Sequence, residues 1–309
     1  MTTIFGTTSR RAARERQREV GEIRPHVPNS GRRAVEPVFS LKRQGKTGYA
    51  VREFSHACLI KLVDYPELPL RTNTGETIKA GKSALIVRTE FPIGQKSQPV
   101  AYKRVRRHEW WKRLLSPFRT NSCLRNFRLG MELLSRGIPT ARPLAAIIPD
   151  RWQLSSESYL ATEWIEGTVH CYAWLFRIGK LSDSARRREL TGMANSVGDL
   201  LGKMHAAGVS HRDLKPGNAL IRAGRTNPEV FVVDLDGVTL RRLGAKLRAR
   251  NVSRFVVSLT TYFPFVRNVD LLRGLKSYLQ ALGSEDLDWK SEWRRISGEV
   301  ARRTTVTKE

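Results

Sequence analysis

The sequence has few cysteines and no long apolar run, and both scarcities narrow the class of protein. Three cysteines occur among 309 residues, and they lie far apart with no CxxC or Cys/His cluster: Cys58, Cys123 and Cys171. This distribution argues against a disulfide scaffold and against a structural zinc site. No stretch approaches the roughly 18 consecutive apolar residues of a membrane span, and the N-terminus has no apolar signal-peptide core. We therefore expect a cytoplasmic protein.

Acidic residues are also scarce relative to basic ones. Lys and Arg total 55 against 29 Asp and Glu, which leaves a formal net charge of +26. Such a field attracts phosphate-rich partners, and an anionic membrane, a phosphorylated glycolipid and nucleic acid all satisfy that description. The charge does not choose among these partners, and the sequence does not determine the oligomeric state.

Two segments concentrate the positive charge. Residues 102–128 carry nine cations and one acid, with Trp110 and Trp111 among them, and residues 241–254 add six cations and no acid. Cations beside tryptophan suit an anionic lipid interface, which predicts peripheral contact with the inner face of a membrane. The same composition suits a nucleic-acid surface or a solvated protein face, so these alternatives stay open.

The remaining pattern predicts an α+β protein with two lobes after a tail. Residues 1–37 are Arg-rich and poor in large apolar groups, which predicts a disordered basic tail. Residues 38–162 read as short β segments, including "HACLIKLVDYP" at 56–66, with one main helix over 122–136. Residues 163–309 form the second lobe, with helices predicted over 183–207 and over most of 241–282.

The motif "HRDLKPGN" at 211–218 carries the clearest chemistry. It fits the catalytic-loop pattern H-R-D-x-x-x-x-N without a mismatch, so Asp213 would accept the proton of an attacking hydroxyl and Asn218 would hold a metal ion. Asp234 follows the apolar run 230–233, and a carboxylate at the end of such a strand can meet a Mg²⁺ that bridges phosphates. Lys215 would balance charge on the transferred group.

A phosphoryl-transfer site also needs groups that hold the nucleotide phosphates. The stretch "PVAYKRV" at 99–105 is similar to the strand sequence V-A-I-K, which indicates Lys103 as the cation on the phosphates. The turn in "KAGKSALIV" at 79–87 supplies backbone N–H groups of Gly81, Lys82 and Ser83 that could reach phosphate oxygens.

With these motifs the sequence resembles the protein-kinase-like superfamily, and most closely the lipopolysaccharide kinase (Kdo/WaaP-type) family. The resemblance rests on "VAYK", "SRGIPTARPLA", "SYLATEWIEG", "HRDLKPGNALI" and "VVDLDGV". It implies a bilobal protein-kinase-like fold with a small β-rich N-lobe and a larger, mainly helical C-lobe. It also implies ATP and Mg²⁺, an adenine-binding hinge over 162–165 that includes Glu163 and Ile165, and a sugar hydroxyl of an anionic lipid A–core glycolipid as the acceptor.

The sequence departs from the protein-kinase pattern at several points. The phosphate loop has one glycine, and "DLDG" replaces D-F-G, so that Asp236 could share metal binding with Asp234. The acid expected to pair with Lys103 is unclear, because Asn126 stands near its expected place and Glu132 lies further along the chain.

Two other functions stay open at this point. A serine/threonine protein kinase also places a lysine two residues after the catalytic aspartate, as Lys215 stands here. A non-catalytic basic binding protein could be built on a kinase-like scaffold, but that alternative predicts loss of at least one of four residues that are all present: Lys103, Asp213, Asn218 and Asp234.

Overall fold

The computed structural model describes residues 38–71, 76–81, 84–106, 121–150, 157–224, 226–283 and 288–306. The chain divides into two compact units, of which the first comprises Met1–Ser135 with Arg142–Trp164 and the second comprises Arg136–Ala141 with Ile165–Glu309. The predicted tail over 1–37 lies outside the described residues, as do Trp110 and Trp111. The contrast between a β-rich first part and a helical second part is confirmed.

The first unit is built on a seven-stranded antiparallel sheet in the order β1-β2-β6-β7-β5-β4-β3. The strands are β1 (Val38–Arg43), β2 (Lys46–Val51), β3 (Glu76–Ala80), β4 (Ala84–Ile93), β5 (Lys96–Arg106), β6 (Pro143–Pro149) and β7 (Glu157–Glu163). Strands β5 and β7 lie side by side in the middle of the sheet, so the predicted phosphate-binding strand is flanked on both edges by other strands.

Within the described residues of this unit, three helices accompany the sheet: α1 (His56–Asp64), α2 (Leu68–Arg71) and α3 (Ser122–Ser135). The prediction of a β segment at 56–66 is wrong, because this stretch forms α1. Ser55 begins the helix by accepting a hydrogen bond from the Cys58 N–H, and Leu59 and Val63 face the sheet. Helix α1 approaches β2 so closely that a Cβ at Gly48 would lie 2.6 Å from the Val63 side chain.

A continuous apolar core lies between the sheet and its helices. Tyr102 of β5 is fully buried there, and its hydroxyl donates a 2.8 Å hydrogen bond to the carbonyl of Pro66. Its ring stacks on Tyr159 of β7 and meets Phe91 of β4 edge-on. Because Tyr102 directly precedes Lys103 in β5, this packing fixes the strand that carries the predicted cation.

The second unit is mainly helical. Its helices are α4 (Cys171–Gly179), α5 (Asp183–Ala206), α6 (Ala245–Tyr262), α7 (Asn268–Leu282) and α8 (Trp289–Val306). Its short strands are β8 (Thr168–His170), β9 (Val209–His211), β10 (Ala219–Arg222), β11 (Glu229–Val232) and β12 (Val238–Leu240), which form a β11-β10-β8 sheet and a β12-β9 pair. Among the described residues no helix has the length and hydropathy needed to cross a membrane.

Helices α5 and α7 pack with their backbones in near contact. A Cβ at Gly198 would lie 3.1 Å from the Cβ of Ser277, and one at Gly274 would lie 3.2 Å from the Ala194 carbonyl oxygen. Gly202 stands one turn after Gly198 and faces the same helix. Glycine at these positions lets α5 lie deep in the unit, and α5 ends at Ala206, shortly before the loop that carries the predicted site.

Candidate active site

The loop with the motif "HRDLKPGN" is anchored at both ends in short strands. His211 ends β9 and pairs with Val238 of β12, while the Arg212 N–H donates a 2.8 Å hydrogen bond to the Gly237 carbonyl. A short 3₁₀ turn over Pro216–Asn218 then leads into β10. The segment "DLDG" therefore lies directly against the motif that precedes it in sequence.

Gly237 allows this close approach. A Cβ at this position would lie 2.9 Å from the His211 Nδ1 atom and 3.0 Å from the Asp213 backbone nitrogen. The first distance is shorter than real Cβ contacts and the second is tighter than most of them, so a side chain here would require the two segments to shift. Packing against the backbone of the predicted base therefore favours glycine at position 237.

Asp213 lies at the centre of a small polar cluster. One carboxylate oxygen, Oδ2, accepts hydrogen bonds from Lys215 Nζ at 2.9 Å and from Asn218 Nδ2 at 3.3 Å. Partial burial acts to raise the Asp213 pKa, but the Lys215 hydrogen bond and charge, with help from Asn218, outweigh it and hold the pKa below the ordinary value. The carboxylate is therefore ionised at neutral pH and able to accept a proton.

Lys215 is the cation of the same cluster. Its hydrogen bond to Asp213 raises the Lys215 pKa, burial acts in the opposite direction, and the charges of Asp213 and Asp234 raise it further. The ammonium group thus stays protonated beside the predicted base Asp213 and in the field of the predicted metal ligand Asp234. This position suits a cation that balances negative charge on a transferred group.

Asn218 and Asp234 are brought together by the pairing of β10 with β11. Ala219 lies opposite Val232 in that ladder, and the Val233 N–H donates a 3.0 Å hydrogen bond to the Asn218 carbonyl. Asp234 follows with φ 61° and ψ 69°, a left-handed conformation that is uncommon for a residue with a side chain. Such backbone strain is concentrated at functional sites, where the surrounding structure maintains it.

These two residues fit a Mg²⁺ ion by their chemistry. Asn218 Nδ2 donates to the Asp213 carbonyl at 2.8 Å, and this bond turns the amide so that its oxygen points the other way. An amide oxygen and the Asp234 carboxylate are hard oxygen ligands, and Mg²⁺ takes one or two such protein ligands with phosphate oxygens and water completing its shell. The described residues contain no group of three or more His, Cys, Asp or Glu side chains arranged for a metal.

The strand before Asp234 is held by the segment "RGIPT". The Val232 N–H donates to the Pro139 carbonyl at 2.9 Å, and the buried Thr140 hydroxyl donates to the Val232 carbonyl at 2.7 Å. Arg136 donates to the carbonyl of Ala207, just past the end of α5. In the sequence this segment contributed only to the family resemblance. In the structure it connects the strand that precedes the predicted metal ligand to the rest of its unit.

Hydrogen bonds of His211 and Asn251 fix the N-terminal end of the loop. Asn251 of α6 is fully buried, and its Oδ1 accepts a 3.1 Å hydrogen bond from the His211 N–H while its Nδ2 donates to Ser210 Oγ at 3.2 Å. His211 Nδ1 in turn accepts from the Asp213 N–H at 3.3 Å. Burial lowers the His211 pKa, although the charges of Asp213 and Asp234 oppose this, so the imidazole is neutral and acts as a structural acceptor.

Sequence reasoning missed Asn251. Nothing in its local pattern sets it apart, although an asparagine inside a helix is weakly disfavoured and often signals a tertiary hydrogen bond. Its partners lie 40 and 41 residues earlier in the chain, so its role follows from packing alone.

The first unit carries the predicted phosphate-binding residues. Lys103 is half-buried in β5, between Ile86 of β4 and Leu160 of β7 in the ladder. The Gly81 N–H donates a 2.9 Å hydrogen bond to the Ala84 carbonyl and so closes the turn between β3 and β4. The predicted contact of Gly81 with phosphate would need this bond to open. Lys82 and Ser83 lie outside the described residues.

The predicted adenine-binding segment follows the end of β7. The Glu163 N–H donates to the Arg142 carbonyl at 2.8 Å, and the Trp164 N–H donates to the Pro99 carbonyl at 3.1 Å. In the second unit the Ile165 carbonyl accepts a 2.7 Å hydrogen bond from the Thr168 hydroxyl. One backbone group of Glu163 and one of Ile165 are therefore already engaged in local structure.

Helix α3 contains both candidates for the partner of Lys103. Asn126 lies on the buried face of the helix beside Cys123, Phe127 and Gly130, whereas Glu132 is half-buried on another face. The position on the buried face is thus held by an amide rather than by an acid.

The family model for the lipopolysaccharide kinase (Kdo/WaaP) family matches residues 94–275, which include the segments from "VAYK" to "VVDLDGV" but not the turn at 79–87. A 3-deoxy-D-manno-octulosonic acid kinase of Xylella fastidiosa (strain 9a5c) is 31% identical over 142 residues, covering 46% of this chain and 51% of that protein. One of Xanthomonas campestris pv. campestris (strain B100) is 32% identical over 133 residues, covering 43% of this chain and 48% of that protein. The chain thus spans about half the length of the curated relatives it matches.

Among solved structures, the chain is similar to that described as WaaP in complex with acyl carrier protein. The TM-score is 0.51 and the identity 19%, over 76% of this chain and 88% of the other. At this identity the likeness concerns the fold, and the predicted kinase-like fold is confirmed.

Proposed function

The chain belongs to the lipopolysaccharide kinase (Kdo/WaaP) family, and from this premise we propose that it transfers the γ-phosphoryl group of ATP to a sugar hydroxyl of a lipopolysaccharide-type glycolipid core. The observation that carries the proposal is the arrangement around Asp213, an ionised carboxylate bonded to Lys215 and Asn218 in one loop. Phosphoryl transfer needs positioning and charge neutralisation more than covalent participation by the protein, and this cluster supplies both.

The proposed reaction exchanges one oxygen–phosphorus bond for another. The acceptor hydroxyl oxygen forms a bond to the γ-phosphorus, the bond from that phosphorus to the β–γ bridging oxygen breaks, and ADP leaves with the electron pair. Asp213 takes the proton of the hydroxyl, while Lys215 balances charge on the group in transfer. A Mg²⁺ ion held by Asn218 and Asp234 would neutralise charge on the phosphates of the nucleotide.

The nucleotide would be held by residues of the first unit and of the segment that follows it. Lys103 would pair with phosphate oxygens, and Lys82 and Ser83 would add backbone N–H groups, with Gly81 shaping their turn. For adenine we propose the Glu163 carbonyl and the Ile165 N–H, because the other backbone group of each residue is already bonded.

An assay with three acceptors tests whether the phosphoryl group is transferred to a sugar. The protein is incubated with labelled ATP and Mg²⁺ and, in parallel, with delipidated core oligosaccharide, intact glycolipid or a protein extract. We expect label in the two carbohydrate-containing acceptors. Label in protein alone would replace this proposal with a serine/threonine protein kinase, and label in none of them would favour a basic binding protein on a kinase scaffold.

Two variants test the assigned roles in the same assay. Asp213→Ala should lower turnover by about 10²–10⁴-fold, the usual contribution of a general base, and should leave ATP affinity nearly unchanged. Lys103→Ala should weaken productive nucleotide binding, as measured by calorimetry. If Asp213→Ala loses ATP binding as severely as Lys103→Ala does, Asp213 is structural or a metal ligand and not the base.

The basic surfaces support a proposed location for this reaction. A glycolipid acceptor is displayed at a membrane, and the cations over 102–128 and 241–254 would bring the enzyme to an anionic inner face. Part of the second segment is used internally, because Arg248 has a mostly buried side chain 3.9 Å from Glu292. The peripheral contact would therefore rest on the exposed Arg241, Arg242 and Lys246.

A further inference from the structure

A groove of about 580 Å³ opens beside the catalytic loop within the second unit. Asp213 and Lys215 form one side of it, and helices α6 and α8 supply most of the other side. Its ionisable lining comprises five cations and two acids, which leaves a surplus of three positive charges: Lys215, Arg250, Arg254, Arg302 and Arg303 against Asp213 and Glu299.

The arginines are placed by the packing of α8 along α6. Arg250 and Arg254 stand one turn apart on α6, and Arg302 and Arg303 stand on α8. Arg303 Nε donates to Ser253 Oγ at 2.9 Å, and Arg254 Nη1 donates to the Arg250 carbonyl at 3.2 Å. These bonds fix where the guanidinium groups lie without neutralising their charge.

One of the two acids in the groove forms ion pairs with its arginines. Glu299 is buried, with a side-chain exposure of 7%, and it pairs with Arg302 at 2.8 Å and with Arg250 at 3.6 Å. Within the part of the chain that the structure describes, no carboxylate stands within ion-pair distance of Arg254. Burial lowers the Arg254 pKa, and the charges of Arg303 and Arg250 lower it further, while the charge of Asp213 acts in the opposite direction. The like charges of these three arginines repel one another.

A cation cluster that repels itself is a site that an anion stabilises. Guanidinium groups bind carboxylate and phosphate through paired hydrogen bonds, and partial burial strengthens such bonds. The groove also contains Asp213, which must stand beside the hydroxyl that is to be phosphorylated. A ligand that reaches both features would carry its anionic group close to its reacting hydroxyl.

We infer that this groove binds the acceptor through an anionic group, a carboxylate or a phosphate, that neighbours the reacting hydroxyl, and that Arg254 is its principal contact. The inference rests on the proposed function for the identity of the ligand as the acceptor. It deepens that function by assigning acceptor specificity to α6 and α8. A neutral sugar hydroxyl without an adjacent anion would be a poor substrate.

The test measures binding and turnover separately. Delipidated core oligosaccharide is titrated into the parent protein, into Arg254→Gln and into Arg254→Lys by calorimetry, and KM is measured for the oligosaccharide and for ATP. Lys276→Gln is the matched control, because it removes one exposed cation from α7 of the same unit, outside the groove. Circular dichroism and thermal melting check that each variant is folded.

We expect Arg254→Gln to weaken oligosaccharide binding and to raise its KM by about tenfold or more, as loss of a charge-assisted hydrogen bond does. Arg254→Lys should recover part of the loss, and KM for ATP should stay within about twofold of the parent value. An equal effect of Lys276→Gln would show a non-specific charge effect and overturn the assignment. A rise in KM for ATP alone would place the nucleotide in the groove instead.

Two chemically altered oligosaccharides identify the anion. One has its phosphates removed by phosphatase, and the other has its carboxyl groups reduced to alcohols. The group that Arg254 contacts is the one whose removal weakens binding to the parent protein. The oligosaccharide without that group should bind the parent protein and Arg254→Gln with equal affinity. If neither alteration weakens binding, or if the parent protein binds no form, the inference is wrong. Binding without phosphate transfer would instead support the groove and refute the proposed function.

Discussion

His205 makes the stability of the second unit sensitive to acid. Its side chain is 5% exposed in α5, and its Nδ1 atom lies 2.9 Å from the Tyr278 hydroxyl of α7. Burial, followed by the charge of Arg248, lowers the His205 pKa to about 3. An unfolded histidine titrates near 6.5, so between about pH 6.5 and 3 the unfolded chain binds a proton that the folded chain does not.

This difference in proton binding makes the folded protein less stable as pH falls. Stability is fully present above about pH 6.5 and is lost as pH falls, by up to roughly 1.4 kcal/mol for each pH unit. Over the whole interval the loss from this one group would be on the order of 5 kcal/mol, a large fraction of the 5–15 kcal/mol typical of a domain.

The variant His205→Gln isolates this contribution. Glutamine keeps a polar partner for Tyr278 but has no proton to gain. Free energies of unfolding from urea titrations at pH 7, 6 and 5 should therefore fall less steeply for the variant, by about 1 kcal/mol per pH unit. His170→Gln, which removes an exposed imidazole from the same unit, should leave the slope unchanged. Parallel pH dependences for the parent and His205→Gln would refute the argument.

Three further outcomes test the site and the surface. Asp234→Asn should abolish transfer with the fold retained, because the substitution removes the charge of the proposed metal ligand. Retained activity in that variant with loss in Asp236→Asn would move the proposed ligand to Asp236. Asn251→Ala leaves the buried His211 N–H without its acceptor and should cost about 1–3 kcal/mol of stability, measured by thermal melting and urea titration, whereas an unchanged midpoint would contradict the positioning role. Binding to anionic vesicles should weaken steeply as salt screens exposed charges over about 8–10 Å, and salt-insensitive binding, or equal binding to neutral vesicles, would exclude electrostatic docking.

The sequence predicted the parts of the site that depend on local order. Asp213, Lys215 and Asn218 form one short loop, so their spacing was enough to place them together, and the structure brings their side chains within hydrogen-bond distance. The helices over 122–136 and 183–207 were visible because their apolar residues recur at helical spacing over several turns.

Prediction failed where the pattern was short or the partners were distant in sequence. The apolar stretch at 56–66 could belong to a strand or a helix by periodicity, and the Ser55 cap was the signal that favoured a helix. Residues 241–254 appeared to be a single cationic surface, but α6 turns Arg248 toward Glu292 and places Arg254 in the groove. Neither placement can be predicted from the local sequence, because both depend on the packing of α8 against α6. Helix α8 lies more than 30 residues further along the chain.

At Asp234 the left-handed backbone favours one residue type for stability, and the proposed metal site requires another. Glycine adopts this conformation without the steric cost that a Cβ brings, which is of order 1 kcal/mol, so the fold alone would favour it there. The proposed role of this residue as a metal ligand requires a carboxylate. Selection for a more stable chain alone would therefore drive this position toward loss of the proposed function, and a relative with glycine here would mark a lineage that kept the scaffold without that function.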